Sequence, residues 1–129
     1  LTDIINKKGR IELIYGDLND YPSIVNAIEI SKPNYVFHLG AQSYPQTSFD
    51  SPIETLQTNI IGTANLLEGL RKSKYKDALI HVCASSEIFG RVPKEKLPID
   101  EECSFHPASP YAISKSGYRF DWPLLWRGI

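Results

Sequence analysis

Four residues in the second half of the chain are of types that move protons: Ser85, Glu87, Tyr111 and Lys115. Tyr111 and Lys115 stand in SPYAISK, residues 109–115. Ser109 is placed there to cap a helix and Pro110 to open it, so the phenol and the ammonium fall one turn apart on one face. A free phenol titrates near about 10, too high for a base at neutral pH, but a neighbouring ammonium favours the phenolate. Ser85 can donate a hydrogen bond to a substrate oxygen held by Tyr111. If Tyr111 takes the proton of a secondary alcohol, the carbinol hydride needs an acceptor that no side chain provides, which implies a nicotinamide cofactor. Glu87, two residues beyond Ser85, is placed to act as general base on a carbon made acidic by the new ketone, so oxidation followed by elimination becomes possible. Each residue also has an ordinary explanation: a surface tyrosine beside a solvated lysine, turn-forming serines, a solvated loop carboxylate. Their joint occurrence is what favours the chemistry.

The elements that must position them alternate short strands with amphipathic helices. IELIY (11–15) is a strand candidate ending in the turn-rich GDLND, and YPSIVNAIEIS (21–31) follows as a helix, with Pro22 near its start and isoleucines at helical spacing. NYVFHL (34–39) reads as a second strand, followed by a polar loop. SPIE (51–54) has the form of a capping box that starts the longest helix, through Leu56, Ile60, Leu67 and Leu70 to about Lys74. In that helix Asn59 has an ordinary role, satisfying backbone groups. ALIHVCA (78–84) is a third strand, and a loop from Ser85 to His106 leads to the helix of Tyr111 and Lys115. Strands separated by helices imply parallel pairing and an α/β fold, whose ligands bind beyond the carboxyl ends of the strands. GDL (16–18), GAQS (40–43) and SSE (85–87) all fall at that edge.

Composition narrows the function classes. At 129 residues, 42% hydrophobic, 22% charged and a net charge of -1, the chain reads as a single globular domain without the basic stripe of a nucleic-acid binder. No apolar run reaches the roughly 18 residues of a membrane span, and the first ten residues lack a signal-peptide layout, so the expected location is the cytoplasm. Cys83 and Cys103 are then expected as reduced thiols. His38, His81 and His106 are widely separated and give no metal-ligand spacing with the cysteines, so no metal is expected.

GDL, HLGAQS, TNIIGT, SSEIFG and PYAISK, in that order, resemble the extended short-chain dehydrogenase/reductases that act on nucleotide sugars, and within them the GDP-mannose 4,6-dehydratases. The resemblance runs from about Ile11 to Gly117. It implies a Rossmann-like domain, NADP or NAD as cofactor, GDP-mannose as substrate and a homo-oligomer. By it Ser85 orients the sugar O4, Tyr111 removes its proton, Lys115 assists Tyr111 and holds the nicotinamide ribose, and Glu87 takes the C5 proton as water leaves C6. Asp17 and Leu18 match the pair that meets the adenine. Leu39, Gly40, Ala41, Gln42 and Ser43 match the strand end lining the cofactor, and Asn59 matches a position that props the active-site backbone. A nucleotide-sugar 4-epimerase and a non-catalytic assembly partner are the competing functions; the family's epimerases generally lack the glutamate of Glu87.

Two departures set further expectations. The chain has no G-x-x-G-x-x-G turn to receive a pyrophosphate, and YRFDWPLLWRGI at the other end departs from the family, with Pro123 expected to stop a helix. The expectation is therefore one partial domain over 1–129, truncated at both ends, lacking the first βαβ unit and nearly inactive by itself. In the usual strand order the strands at 11–15 and 34–39 would be separated by two absent ones, a gap of roughly 14 Å. Either they close up and pair or another chain fills the space, and a compact monomer is not expected.

Overall fold

The computed structural model describes residues 11–117; residues 1–10 and 118–129, with the stop expected at Pro123, lie outside the described residues. Helix α1 spans Tyr21–Ser31 and ends where Lys32, at φ 49°, turns left-handed and donates its N–H to the Ile28 carbonyl at 2.9 Å. Its four-residue spacing puts Ile24 and Ile28 on one face, where they bury with Leu70 of helix α4, Gly62–Lys72. Strands β1, Tyr35–His38, and β2, Leu79–Val82, pair in parallel with Tyr35 opposite Leu79 and His38 opposite Val82. Alternation then sends Val36 and Ile80 into that helix-covered core. Tyr35, Phe37 and Leu79, on the opposite face, stay 67%, 71% and 66% exposed.

The α/β class holds, and four local expectations do not. Residues 11–15 form no strand, because β1 and β2 make up the whole sheet among the described residues and neither pairs with that segment. An open groove of about 400 Å³ runs between Ile14 and β1 instead, so the two have not closed up. The polar loop after β1 contains helix α2, Pro45–Asp50, which proline opens. The longest helix is composite: α3 covers Pro52–Leu56, a π-helical turn covers Gln57–Ile61, and α4 completes it, ending at Lys72.

The capping box at 51–54 is not made either. The N–H of Ser51 is already taken by the Thr47 carbonyl of the preceding helix at 2.9 Å, leaving Glu54 no donor to reach back to, and the Ser51 side chain forms no cap. In the first half of the composite helix the buried face is polar: Thr55, Asn59 and Thr63 are fully buried at four-residue spacing. Their hydroxyls fold back on the helix, Thr55 to the Ser51 carbonyl at 2.9 Å and Thr63 to the Asn59 carbonyl at 2.6 Å. Helix α5, Pro110–Ser116, packs across α2, α3 and the π turn, and Ser109 caps it as expected, accepting the Ala112 N–H at 3.0 Å.

Candidate functional site

Three segments meet at the carboxyl end of the sheet. In the first, the Asp17 carboxylate accepts the Asn19 N–H at 2.9 Å, an Asx turn, while the Asp17 N–H donates to Ser23 Oγ at 2.9 Å. The turn is fastened to α4, where Asn65 Nδ2 donates to the Leu18 carbonyl at 2.8 Å. Gly62 makes that approach possible, since a Cβ there would come within 2.7 Å of Leu18 Cβ. The second segment follows β1. Gly40 lies between Leu18 and the His38 ring, for a Cβ on it would stand 3.1 Å from Leu18 Cδ1 and 3.8 Å from His38 Cε1. Leu18 thus adjoins the Leu39–Ser43 segment, in which Leu39, Gly40 and Ser43 are exposed and Ala41 and Gln42 half-buried.

Gln42 is clamped at its backbone. Asn59 Oδ1 accepts its N–H at 2.8 Å and Asn59 Nδ2 donates to its carbonyl at 3.0 Å, while the Gln42 side chain folds onto the Tyr44 backbone. Asn59 therefore serves a second segment, not its own helix as its ordinary role would have it. The π turn is what aims it there: in that turn the Gly62 N–H bonds back to the Gln57 carbonyl, and the Asn59 side chain faces the core.

The third segment follows β2. Ser85 is half-buried and caps a 3₁₀ turn, Ser86–Phe89, its hydroxyl accepting the Glu87 N–H at 3.3 Å; Glu87 itself is exposed. Gly90 then takes φ 59° and ψ -137°, open to glycine alone, and a Cβ there would overlap the His106 carbonyl. The His106 N–H returns to the Ile88 carbonyl at 2.9 Å, and Phe89 packs edge-on against Phe105 at 5.3 Å. The excursion between them, which includes a second 3₁₀ turn at Lys94–Lys96, is closed at its base.

Helix α5 brings Tyr111 and Lys115 to this edge. Both are buried, and Lys115 Nζ lies 5.9 Å from the Tyr111 ring centroid and donates to the Cys83 carbonyl at 3.1 Å, two residues before Ser85. The shared face and the strand-end location are as the sequence predicts. Sequence reading missed a buried polar string behind them. His38 Nε2 lies 2.8 Å from Thr63 Oγ1, and Ser114 Oγ receives Asn59 Nδ2 at 2.8 Å and donates to the Tyr111 carbonyl at 2.7 Å. Burial first, and the Lys115 charge second, push the His38 imidazole below its ordinary pKa. The available signal was the polar spacing of Thr55, Asn59 and Thr63, three small polar groups on one helix face.

Comparison with known proteins gives the family and the fold. Residues 2–120 match the family model described as GDP-mannose 4,6 dehydratase. The GDP-mannose 4,6 dehydratase of Drosophila melanogaster is 35% identical over 111 residues, covering 85% of this chain and 28% of that protein. The GDP-6-deoxy-D-mannose reductase of Pseudomonas aeruginosa is 40% identical over 83 residues, covering 64% and 27%. The chain thus spans a little over a quarter of the length of these relatives. Among solved structures, RMD from Pseudomonas aeruginosa complexed with NADPH superposes with a TM-score of 0.76 at 33% identity, covering 84% of this chain and 36% of that one. The UDP-glucose 4-epimerase of Thermus thermophilus in complex with NAD gives 0.80 at 29%, covering 94% and 38%. The two-stranded sheet and its helices are accordingly part of a Rossmann-like nucleotide-binding fold.

Proposed function

Because the chain belongs to the GDP-mannose 4,6 dehydratase family, we propose that it is the central portion of a lyase that converts GDP-mannose to GDP-4-keto-6-deoxymannose and water. A nicotinamide bound at this edge would accept hydride from C4 and return it at C6. The residues fit such a group: Leu18, next to Asp17 in the chain, adjoins the Leu39–Ser43 segment through the Gly40 contact, and Lys115 is held at the end of β2. NADP or NAD is the cofactor class, in keeping with the two relatives solved with NADPH and NAD.

The roles are assigned by the family resemblance, and the positions are in keeping with them. Tyr111 takes the proton of the sugar O4 and Ser85 donates a hydrogen bond to that oxygen. Lys115 sets a positive charge beside the phenol and contributes to holding the nicotinamide ribose. Glu87, exposed at the rim, takes the C5 proton and delivers it to the C6 hydroxyl, which departs as water, a step that the 4-ketone makes accessible. The observation that carries this reading is the Lys115 Nζ bond to the Cys83 carbonyl, which ties the Tyr111 helix to the strand end bearing Ser85 and Glu87. Two further elements belong to the proposal. The chain works as a homo-oligomer, and Cys83 and Cys103, both free thiols, suit the reducing cytoplasm.

The 129-residue chain has no glycine-rich turn for the pyrophosphate, so little turnover is expected from it alone. The decisive test places residues 11–117 in the corresponding segment of the Vibrio cholerae GDP-mannose 4,6-dehydratase, 38% identical over 104 residues. The expected product has lost one water by mass, and Glu87→Gln lowers turnover roughly 100-fold or more. A product of unchanged mass would move the assignment to a 4-epimerase. A chimera that binds NADPH yet turns nothing over would mark a non-catalytic assembly part.

A further inference from the structure

We propose that His38 is a positioning residue: through Thr63 and Asn59 it holds the cofactor-facing turn at Gln42 and the Tyr111 helix in one register. The inference rests on the dehydratase reading for its purpose, and on buried hydrogen bonds for its existence. Thr63 Oγ1 gives its single proton to the Asn59 carbonyl at 2.6 Å, so only lone pairs remain to meet His38 Nε2 at 2.8 Å. The imidazole must therefore be the donor, with its proton on Nε2.

The Asn59 side chain is fixed separately, by the Gln42 backbone. Asn59 can meet the Gln42 N–H only with its carbonyl oxygen, which leaves its NH₂ for the Gln42 carbonyl and for Ser114 Oγ. Ser114 Oγ accepts that bond and passes its own proton to the Tyr111 carbonyl at 2.7 Å. Two runs of donors thus meet at Asn59: one from the end of β1 through Thr63 to its backbone carbonyl, the other from its side chain through Ser114 to the turn of α5 that carries Tyr111.

His38 is 5% exposed, and Asn59, Thr63 and Ser114 are fully buried. In so dry a place an unmade bond is costly and a made one is specific, so the two runs together admit one relative placement of the three elements they join. The His38 ring also lies beside Gly40 of the Leu39–Ser43 segment. A phenylalanine or leucine would fill the same space and keep the core apolar, but it could not say where the π turn must sit along β1.

The experiment uses the ¹⁵N-labelled 129-residue chain and reads the His38 ring nitrogens, amide exchange at Gln42 and Leu70, and NADPH binding. Expected are a neutral Nε2–H imidazole, and in Thr63→Val an exchange at Gln42 at least tenfold faster with Leu70 little changed. Thr63→Ser and His38→Gln, which restore a hydroxyl and a donor, should keep Gln42 protected. If Thr63→Val does not fold, the tautomer and the two conservative variants decide: an Nδ1–H imidazole, or loss of Gln42 protection in Thr63→Ser, overturns the proposal. Equal acceleration at Gln42 and Leu70 overturns it too, because that is what a merely structural pair would give. The same hydrogen bonds behaving as expected in a chain that does not bind NADPH would support the positioning role, and the cofactor reading would be decided by the chimera instead.

Discussion

The two faces of the β1–β2 sheet are built from one backbone and similar residue types, yet they end in opposite circumstances. Val36, His38 and Ile80 lie against α1, α4 and the polar string, while Tyr35, Phe37 and Leu79 on the other face stay largely exposed. Parallel sheets ordinarily have both faces covered. What separates the faces is therefore not hydrophobicity but whether the chain supplies a layer of helices, and among the described residues it packs that layer on one side only. Of the residues proposed to handle protons, Lys115 and Tyr111 are buried on α5, while Glu87 is exposed.

The contrast can be broken most forcefully from the covered side. Leu70 is fully buried among Ile24 and Ile28, so Leu70→Ala should cost about 2 to 5 kcal/mol, read as a lowered midpoint in urea unfolding. A loss no larger than that of a surface change would mean that the helices do not cover this face in solution.

A smaller effect belongs to the polar end of the same face. His38 titrates below its ordinary value of 6.5 when folded, because it is buried and Lys115 lies nearby. The unfolded chain then binds more protons than the folded one below that pH, so the His38 contribution is complete above 6.5 and declines as the pH falls toward the folded value. The melting temperature should drop between pH 7.5 and 5.5 by less than Leu70→Ala lowers it, and His38→Gln should flatten the drop. An unchanged slope in that variant would assign the acid sensitivity to other groups.

The least effect on stability is expected on the bare face. Phe37 touches the His81 ring at 6.0 Å between centroids and is otherwise open, so Phe37→Ser should change the unfolding free energy by no more than about 0.5 kcal/mol. If two copies meet on this face, the variant should nonetheless weaken their association in light scattering. A sharp monomer peak from the unsubstituted chain would remove the homo-oligomer from the proposal.

The sequence was most legible where the signal is short-range. Pro22 and the isoleucine spacing gave α1, and Ser109 with Pro110 opened α5. It misled where a neighbour had the deciding vote. IELIY carries a strand composition, but a strand exists only when another lends it hydrogen bonds, and none does so among the described residues. SPIE carries a capping box, but the Ser51 N–H was already spent on Thr47. The reading of the long helix followed Leu56 and Ile60 and passed over the polar stripe that is buried instead, because hydrophobic spacing says nothing about small polar side chains whose partners lie on other elements.

By itself, then, the sequence determined which groups this protein has for chemistry and that Tyr111 and Lys115 share a face, since both follow from residue type and helical pitch. The tertiary structure alone decided that Lys115 meets the Cys83 carbonyl, that Asn59 reaches across to Gln42, and that one sheet face is covered and the other bare. The two hydrogen-bonded contacts join residues 32 and 17 positions apart, and pitch and periodicity carry no information across such separations.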